Sequence, residues 1–271
     1  MNKFLIVANN RCGYHYFRSL ALSHYELLYH NEMWAFLNSN RNAKKENPYQ
    51  GIDKIEFSPH HQDAVDYFDE IFRVSLNHYP KKKVGFKLSP LNFTEDPDLH
   101  TRLWRHINAK KIKLIFLDRK DKFLVYLSNE LVRMKGNRWF NQSYRGKIDF
   151  SIEDYITKSD ASKKYWDLIK TMTTDCESLN ITYEDLCDEP QSIMNQFYDF
   201  LKVDKRKIDW NDSCITSKQM DQPASFYLEN PRHAFRIIGK NLLRTDIDKR
   251  MRYYLNMAYR HAPKRKKMLF V

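Results

Sequence analysis

The chain has 271 residues, 42% hydrophobic and 14% aromatic. That is long enough to bury a core without disulfide staples and too apolar for a disordered segment. Its formal net charge of +12 points to a polyanionic partner (nucleic acid, a membrane surface or a phosphate-rich small molecule), beside the plainer reading of a solvated basic face. The four cysteines, Cys12, Cys176, Cys187 and Cys214, show no Cys-x-x-Cys spacing and read as reduced, buried thiols of a cytosolic protein. Lys3 is followed by only a short apolar run, broken at Asn9, so no signal peptide is expected. No apolar stretch approaches the roughly 18 residues of a membrane span.

In chain order, residues 4–8 predict a first strand and Tyr14 to Ser23 a helix, with Phe17, Leu20 and Ala21 on one face. Residues 38–60 are polar and read as a loop or insertion. Asp63–Leu76 carries Ala64, Val65, Phe68, Ile71 and Phe72 at helical spacing. Val84-Gly85-Phe86-Lys87-Leu88 then reads as a strand and Asp98–Ala109 as a helix. Lys113-Leu114-Ile115-Phe116-Leu117 is near-continuously apolar, as buried parallel strands are. A helix is predicted over Lys122–Met134, a loop over 136–150 and a helix over 152–176. A last strand follows at Leu179–Tyr183. The closing helix, Pro190–Leu201, has proline in its first turn. Past residue 215 no strand is evident, and helices and loops are expected.

Strands alternating with helices predict an α/β fold, a P-loop-like three-layer arrangement with a central, mostly parallel sheet flanked by helices. Ligands of such sheets bind at the carboxyl ends of the strands. Those ends carry Asn10-Arg11, Lys87 and Asp118-Arg119. The first strand passes through Asn9-Asn10-Arg11-Cys12-Gly13 into a helix. A strand, a glycine turn and a helix N-terminus form a phosphate cradle, but no GxxxxGK[ST] sequence is present, so it is not a Walker A loop.

Five ordered blocks over roughly residues 3–222 resemble the sulfotransferases that use 3′-phosphoadenosine 5′-phosphosulfate (PAPS). The likeness is to their bacterial branch of trehalose, glycolipid and polysaccharide enzymes. Arg11-Cys12-Gly13-Tyr14-His15-Tyr16 stands where that family has its 5′-phosphosulfate loop, with Cys12, Tyr14 and His15 in place of the usual hydroxyls. Tyr29-His30-Asn31-Glu32-Met33-Trp34 stands where the branch carries its general base, without that block's glycine and proline. Val84-Gly85-Phe86-Lys87 is similar to the branch's Gly-x-Lys strand. Arg119 and Ser128, nine residues apart, are similar to its 3′-phosphate pair. Ile181-Thr182-Tyr183-Glu184-Asp185-Leu186, with Glu189-Pro190 and Phe200-Leu201-Lys202-Val203, is similar to the block that closes the core. A weaker likeness is Ser217-Lys218-Gln219-Met220-Asp221.

The resemblance implies binding of PAPS by Arg11, Cys12, Gly13, Tyr14, His15, Tyr16, Arg119 and Ser128. It further implies sulfuryl transfer to a hydroxyl of a carbohydrate or glycolipid acceptor, with release of PAP and no metal. Glu32 is the candidate base, with Glu26 and His30 as rivals and a surface carboxylate as the plain alternative. His15 either donates to a phosphate or sulfonate oxygen or is a structural helix residue. Lys87 either meets the sulfonate or bridging oxygen, where charge builds, or forms an ordinary salt bridge. The acidic pair Glu184-Asp185 reads as structural. His60-His61 beside Asp63 do not share a helix face as metal ligands do, and Trp139, Phe140 and Tyr144 either stack on a ligand or close the core.

Residues 1–222 are read as the PAPS-binding core and 223–271 as a helical extension. The protein is expected in the cytoplasm. The tail Lys264-Arg265-Lys266-Lys267 with Met268-Leu269-Phe270-Val271 either touches the inner membrane surface or frays. A nucleotide-kinase-like enzyme and a non-catalytic nucleic-acid-binding protein are the competing readings; the PAPS reading itself calls for no nucleic acid.

Overall fold

The computed structural model describes residues 2–22, 24–32, 64–91, 96–134, 147–209 and 228–229. The predicted loop over 38–60, the His60-His61 pair with Asp63, the aromatics Trp139, Phe140 and Tyr144, the 217–221 block, the boundary near 222, Cys214 and the basic tail lie outside them. The described residues up to Lys120 and from Ala161 form one compact unit; those from Asp121 to Asp160, with 228 and 229, form a second. Among the described residues no helix is long and apolar enough to cross a membrane.

The first unit is built on five parallel strands: β1 (Lys3–Val7), β2 (Leu27–Glu32), β3 (Lys83–Leu88), β4 (Lys113–Asp118) and β5 (Ser178–Thr182), in the order β2-β3-β1-β4-β5. This is the expected α/β, P-loop-like architecture. The interior strands β1 and β4 are apolar on both faces, as burial between helix layers demands. Leu5 and Val7 of β1, with Leu114 and Phe116 of β4, pack beneath α2 (Ala64–His78), α3 (Pro97–Ala109) and Trp166 and Ile169 of α5 (Ile152–Met172). Phe4 and Ile6, with Ile115 and Leu117, face α1 (Tyr14–Leu22) and α7 (Pro190–Leu201).

Local chemistry sets the ends of these elements. Asp96 caps α3 by accepting from the Leu99 amide at 2.9 Å, with Pro97 opening the helix. Thr182 stops β5 one residue earlier than its β-forming sequence suggests. Its Oγ1 accepts from the Asp185 amide and starts α6 (Tyr183–Asp188), so Tyr183 belongs to a helix. The strand β2 was not announced by the sequence pattern: it is an edge strand whose apolar run ends at Tyr29.

Strand β3 alternates more tellingly. Val84, Phe86 and Leu88 enter one core, which leaves Gly85 and Lys87 toward the α1 face. Gly85 is in register with Phe4 of β1 and Tyr29 of β2, and those two rings stack at 6.0 Å. A Cβ at position 85 would lie 2.3 Å from the Phe4 ring. Glycine therefore lets aromatic side chains from both flanking strands meet over β3.

The second unit contains α4 (Lys122–Met134), capped by Asp121, whose Oδ1 accepts from the Leu124 amide at 2.9 Å. Phe123, Tyr126, Phe150 and Tyr155 form an edge-to-face aromatic cluster. Glu130, 5% exposed, is paired with Lys158 and Arg133.

Replacing Gly85 with alanine overpacks the Phe4–Tyr29 contact and is expected to destabilise the protein by about 1–3 kcal/mol. Urea denaturation should show a lower midpoint at unchanged slope.

Candidate functional site

The parallel sheet brings the carboxyl ends of its strands to one edge. There β1 runs into a loop that turns through two left-handed residues, Arg11 (φ 66°) and Gly13 (φ 83°), before α1 begins at Tyr14. Gly13 is required for two reasons. Its φ is costly for a residue with a Cβ, and a Cβ there would lie 2.0 Å from the Tyr183 ring. The Phe17 amide donates to the Gly13 carbonyl at 3.0 Å, which sets the first turn of α1 beside the loop. A helix N-terminus reached through such a turn favours an anion through its amides and its dipole.

The ends of two neighbouring strands hold the loop. Lys87 of β3 is 2% exposed and donates to Asn10 Oδ1 at 3.0 Å, with its ammonium 5.1 Å from the centre of the Tyr14 ring. Ser89 donates to Asn9 Oδ1 at 3.4 Å, and Asn9 Nδ2 donates to Ser162 Oγ at 2.6 Å. Cys12 is buried, with Sγ 3.9 Å from Asp118 Oδ1 at the end of β4.

Arg119 follows Asp118 and is 8% exposed. It donates to the Arg11 carbonyl at 3.3 Å and lies 4.7 Å over the Tyr183 ring. Its Nε is buried and makes no hydrogen bond among the described residues. The next residue, Lys120, is pinned: its amide donates to Glu184 Oε2 at 2.9 Å, and its ammonium pairs with Asp185. Thr182 Oγ1 donates to Asp185 Oδ2 at 2.6 Å. The acidic pair is thus structural, as expected, and what it fixes is the backbone beside Arg119.

His15 and Tyr16 occupy the first turn of α1. His15 is exposed and Tyr16 half-buried. The His15 imidazole is pushed down from 6.5 to about 4, by desolvation first and then by the charges of Lys87, Arg18 and Arg11. Tyr16 is raised from its ordinary value by desolvation and then by Cys187. Cys187 is exposed, which corrects the expectation of four buried thiols; Cys12 and Cys176 are buried.

Glu32 closes β2 at the same edge, in register with Lys87. Its two rivals lie elsewhere. Glu26 precedes β2 at the opposite edge of the sheet, roughly 15–20 Å away along the strand, and accepts from the Asp204 amide at 2.9 Å. His30 is buried against α2, with Nε2 2.7 Å from Ser75 Oγ, and burial lowers its pKa to about 4. It is a hydrogen-bonded core histidine. Ser128 is a buried residue of α4, in the second unit, and its pairing with Arg119 rests on the sequence spacing.

Sequence reasoning placed Asn10 at a strand end without its bond to Lys87, and did not single out Arg18 or the packing role of Tyr183. Arg18 acts on His15 and has its Nε buried without a hydrogen bond among the described residues. The i, i+3 spacing of His15 and Arg18 on a helix was the available signal. The contacts of Asn10 and Tyr183 join distant parts of the chain and left no local mark.

No family model matches the chain, and no curated protein matches it. Among solved structures it is similar to one described as the sulfotransferase domain from the curacin biosynthetic pathway. The two share 16% identity with a TM-score of 0.48, over 92% of this chain and 88% of that one.

The buried, neutral His30 gives a pH prediction. Its folded pKa of about 4 lies below the unfolded value near 6.5. The unfolded chain therefore takes up more protons in that window, and the stabilisation present above pH 6.5 is lost as pH falls toward 4. The loss is about 3 kcal/mol at pH 4. Replacing the pair together, His30→Leu with Ser75→Ala, should flatten that part of the stability–pH curve, measured by denaturation at fixed pH values.

Proposed function

We propose that the protein is a sulfotransferase that moves the sulfuryl group of PAPS to a hydroxyl of an acceptor, a carbohydrate or glycolipid, and releases PAP. The observation that carries this reading is the gathering of Arg11, Lys87 and Arg119 at the carboxyl edge of the sheet, around a helix N-terminus entered through left-handed Gly13. A cradle of that kind suits a ligand with more than one anionic group. The buried, unpaired Nε of Arg119 supports a partner of its own for that guanidinium, since a buried donor left unmade is costly.

In this reading the backbone of Gly13, Tyr14, His15 and Tyr16 takes the 5′-phosphosulfate, with Arg11 and His15 adding donors and Cys12 anchoring the loop from beneath. Arg119 takes the 3′-phosphate, and Ser128 is assigned with it on spacing. Glu32 accepts the proton of the acceptor hydroxyl as its oxygen attacks sulfur. The bond from sulfur to the bridging oxygen breaks, and the electron pair leaves with PAP. Lys87 and Arg11 stabilise charge on the sulfonate and departing oxygens. The acceptor class follows from the resemblance to the bacterial branch. The kinase-like reading is disfavoured because Tyr14-His15 stand where a Walker loop places lysine and a hydroxyl.

The test is ligand-dependent stability. PAP at micromolar concentration should raise the melting temperature while ATP at the same concentration does not. No shift with PAP, together with steeply salt-dependent binding of single-stranded nucleic acid, would favour the nucleic-acid reading instead. Arg119→Ala should weaken PAP binding roughly ten- to hundred-fold; unchanged affinity contradicts its 3′-phosphate role. Glu32→Gln should keep PAP binding and lower turnover by about 10²–10⁴-fold with an accepted sugar; retained turnover removes it as base.

A further inference from the structure

We propose that anion binding at the β1–α1 loop is coupled to protonation of His15, so that a neutral imidazole in the free protein becomes a cationic ligand of the bound anion. The inference rests on the anion-binding reading of this loop and adds its protonation chemistry.

The geometry carries it. His15 is the second residue of α1 and is exposed, two residues after the left-handed Gly13. Its ring lies 5.3 Å from that of Tyr14, and the Tyr14 ring in turn carries the Lys87 ammonium at 5.1 Å. Among the described residues, the charges acting on the imidazole come from three elements: Lys87 of β3, Arg18 of α1 and Arg11 of the loop. All three are positive. Tyr14 is the titratable neighbour on its own helix. Glu32 ends β2 in register with Lys87 and is the acidic residue at the neighbouring strand end.

A cluster of this composition keeps the histidine neutral at pH 7 in the free protein, where its pKa is lowered to about 4. A phosphate or sulfonate entering the cradle brings negative charge among the same three cations. It offsets the part of the suppression that those charges add to burial, and it also stabilises the imidazolium directly. One proton is therefore taken up from solvent on binding at mildly acidic pH. The hydroxyl donors usual in such a loop carry no charge. His15 would supply one when an anion is present.

The test follows the His15 ring by NMR in the intact protein, alone, with saturating PAP and with saturating inorganic sulfate, which stays a dianion throughout the pH range. The free pKa should lie near 4 and rise to about 6 or above with either ligand. The rise should persist in Glu32→Gln, which separates the ligand's charge from that of the neighbouring carboxylate. The affinity of the wild type for PAP should strengthen, relative to that of His15→Gln, as pH falls from 7.5 to 6. The proposal is overturned if His15 stays below about pH 5 in the presence of both ligands, or if the affinity ratio is flat with pH. Binding of PAP with a flat ratio sinks this inference and leaves the proposed function standing. A rise with sulfate and no binding of PAP sinks the proposed function and leaves this one.

Discussion

The packing of Tyr183 against Gly13 is the contact on which the rest of the site depends. The ring occupies the space a Cβ at position 13 would need, so the β1–α1 loop is held in its left-handed turn from outside as well as by its own backbone. The other side of this arrangement is Arg119, whose guanidinium lies 4.7 Å over the same ring and bonds the Arg11 carbonyl. One aromatic residue therefore sets the loop that ends β1 relative to the cation that follows β4. Thr182, Glu184 and Asp185 then fix Tyr183 and Lys120 on either side of that contact. Moving any of these side chains would shift the loop and the arginine together.

The second constraint is electrostatic. Lys87 is buried in a strand whose other face is wholly apolar, with Asn10 and the Tyr14 ring as its neighbours. A buried ammonium is costly unless it is hydrogen-bonded or paired, and Asn10 Oδ1 meets that need in part. The overall charge of +12 would be spread harmlessly over a solvated surface, and much of it is. The concentration of Arg11, Arg18, Lys87 and Arg119 at one sheet edge is a different matter, because those side chains are part of the packing. That local density is more informative about the ligand than the net charge.

Much of this was legible in the sequence. The apolar runs of β1 and β4, the alternation in Val84–Leu88 and the proline opening Pro190–Leu201 fixed most elements and the parallel sheet, and strand ends pointed to Arg11, Lys87 and Arg119. What failed had identifiable causes. β2 is an edge strand with a polar second half, so its pattern is weak. Tyr183 has a β-forming side chain, but the Thr182 cap overrode propensity and turned it into the first residue of a helix. Glu26 and His30 stood as rivals to Glu32 in the sequence, which does not encode that Glu26 precedes β2 at the opposite sheet edge or that His30 bonds Ser75 within the core. Asn10 and Tyr183 act through contacts with residues far along the chain, which one-dimensional spacing does not encode.

The central claim is that the carboxyl edge of this sheet holds a nucleotide with two separate phosphate groups. The most direct measurement is a crystal structure of the protein with PAP. The account predicts the 5′-phosphate against the backbone amides that follow Gly13, and the 3′-phosphate on the Arg119 guanidinium. A nucleotide bound at another surface with the Gly13 turn and Arg119 untouched would contradict it.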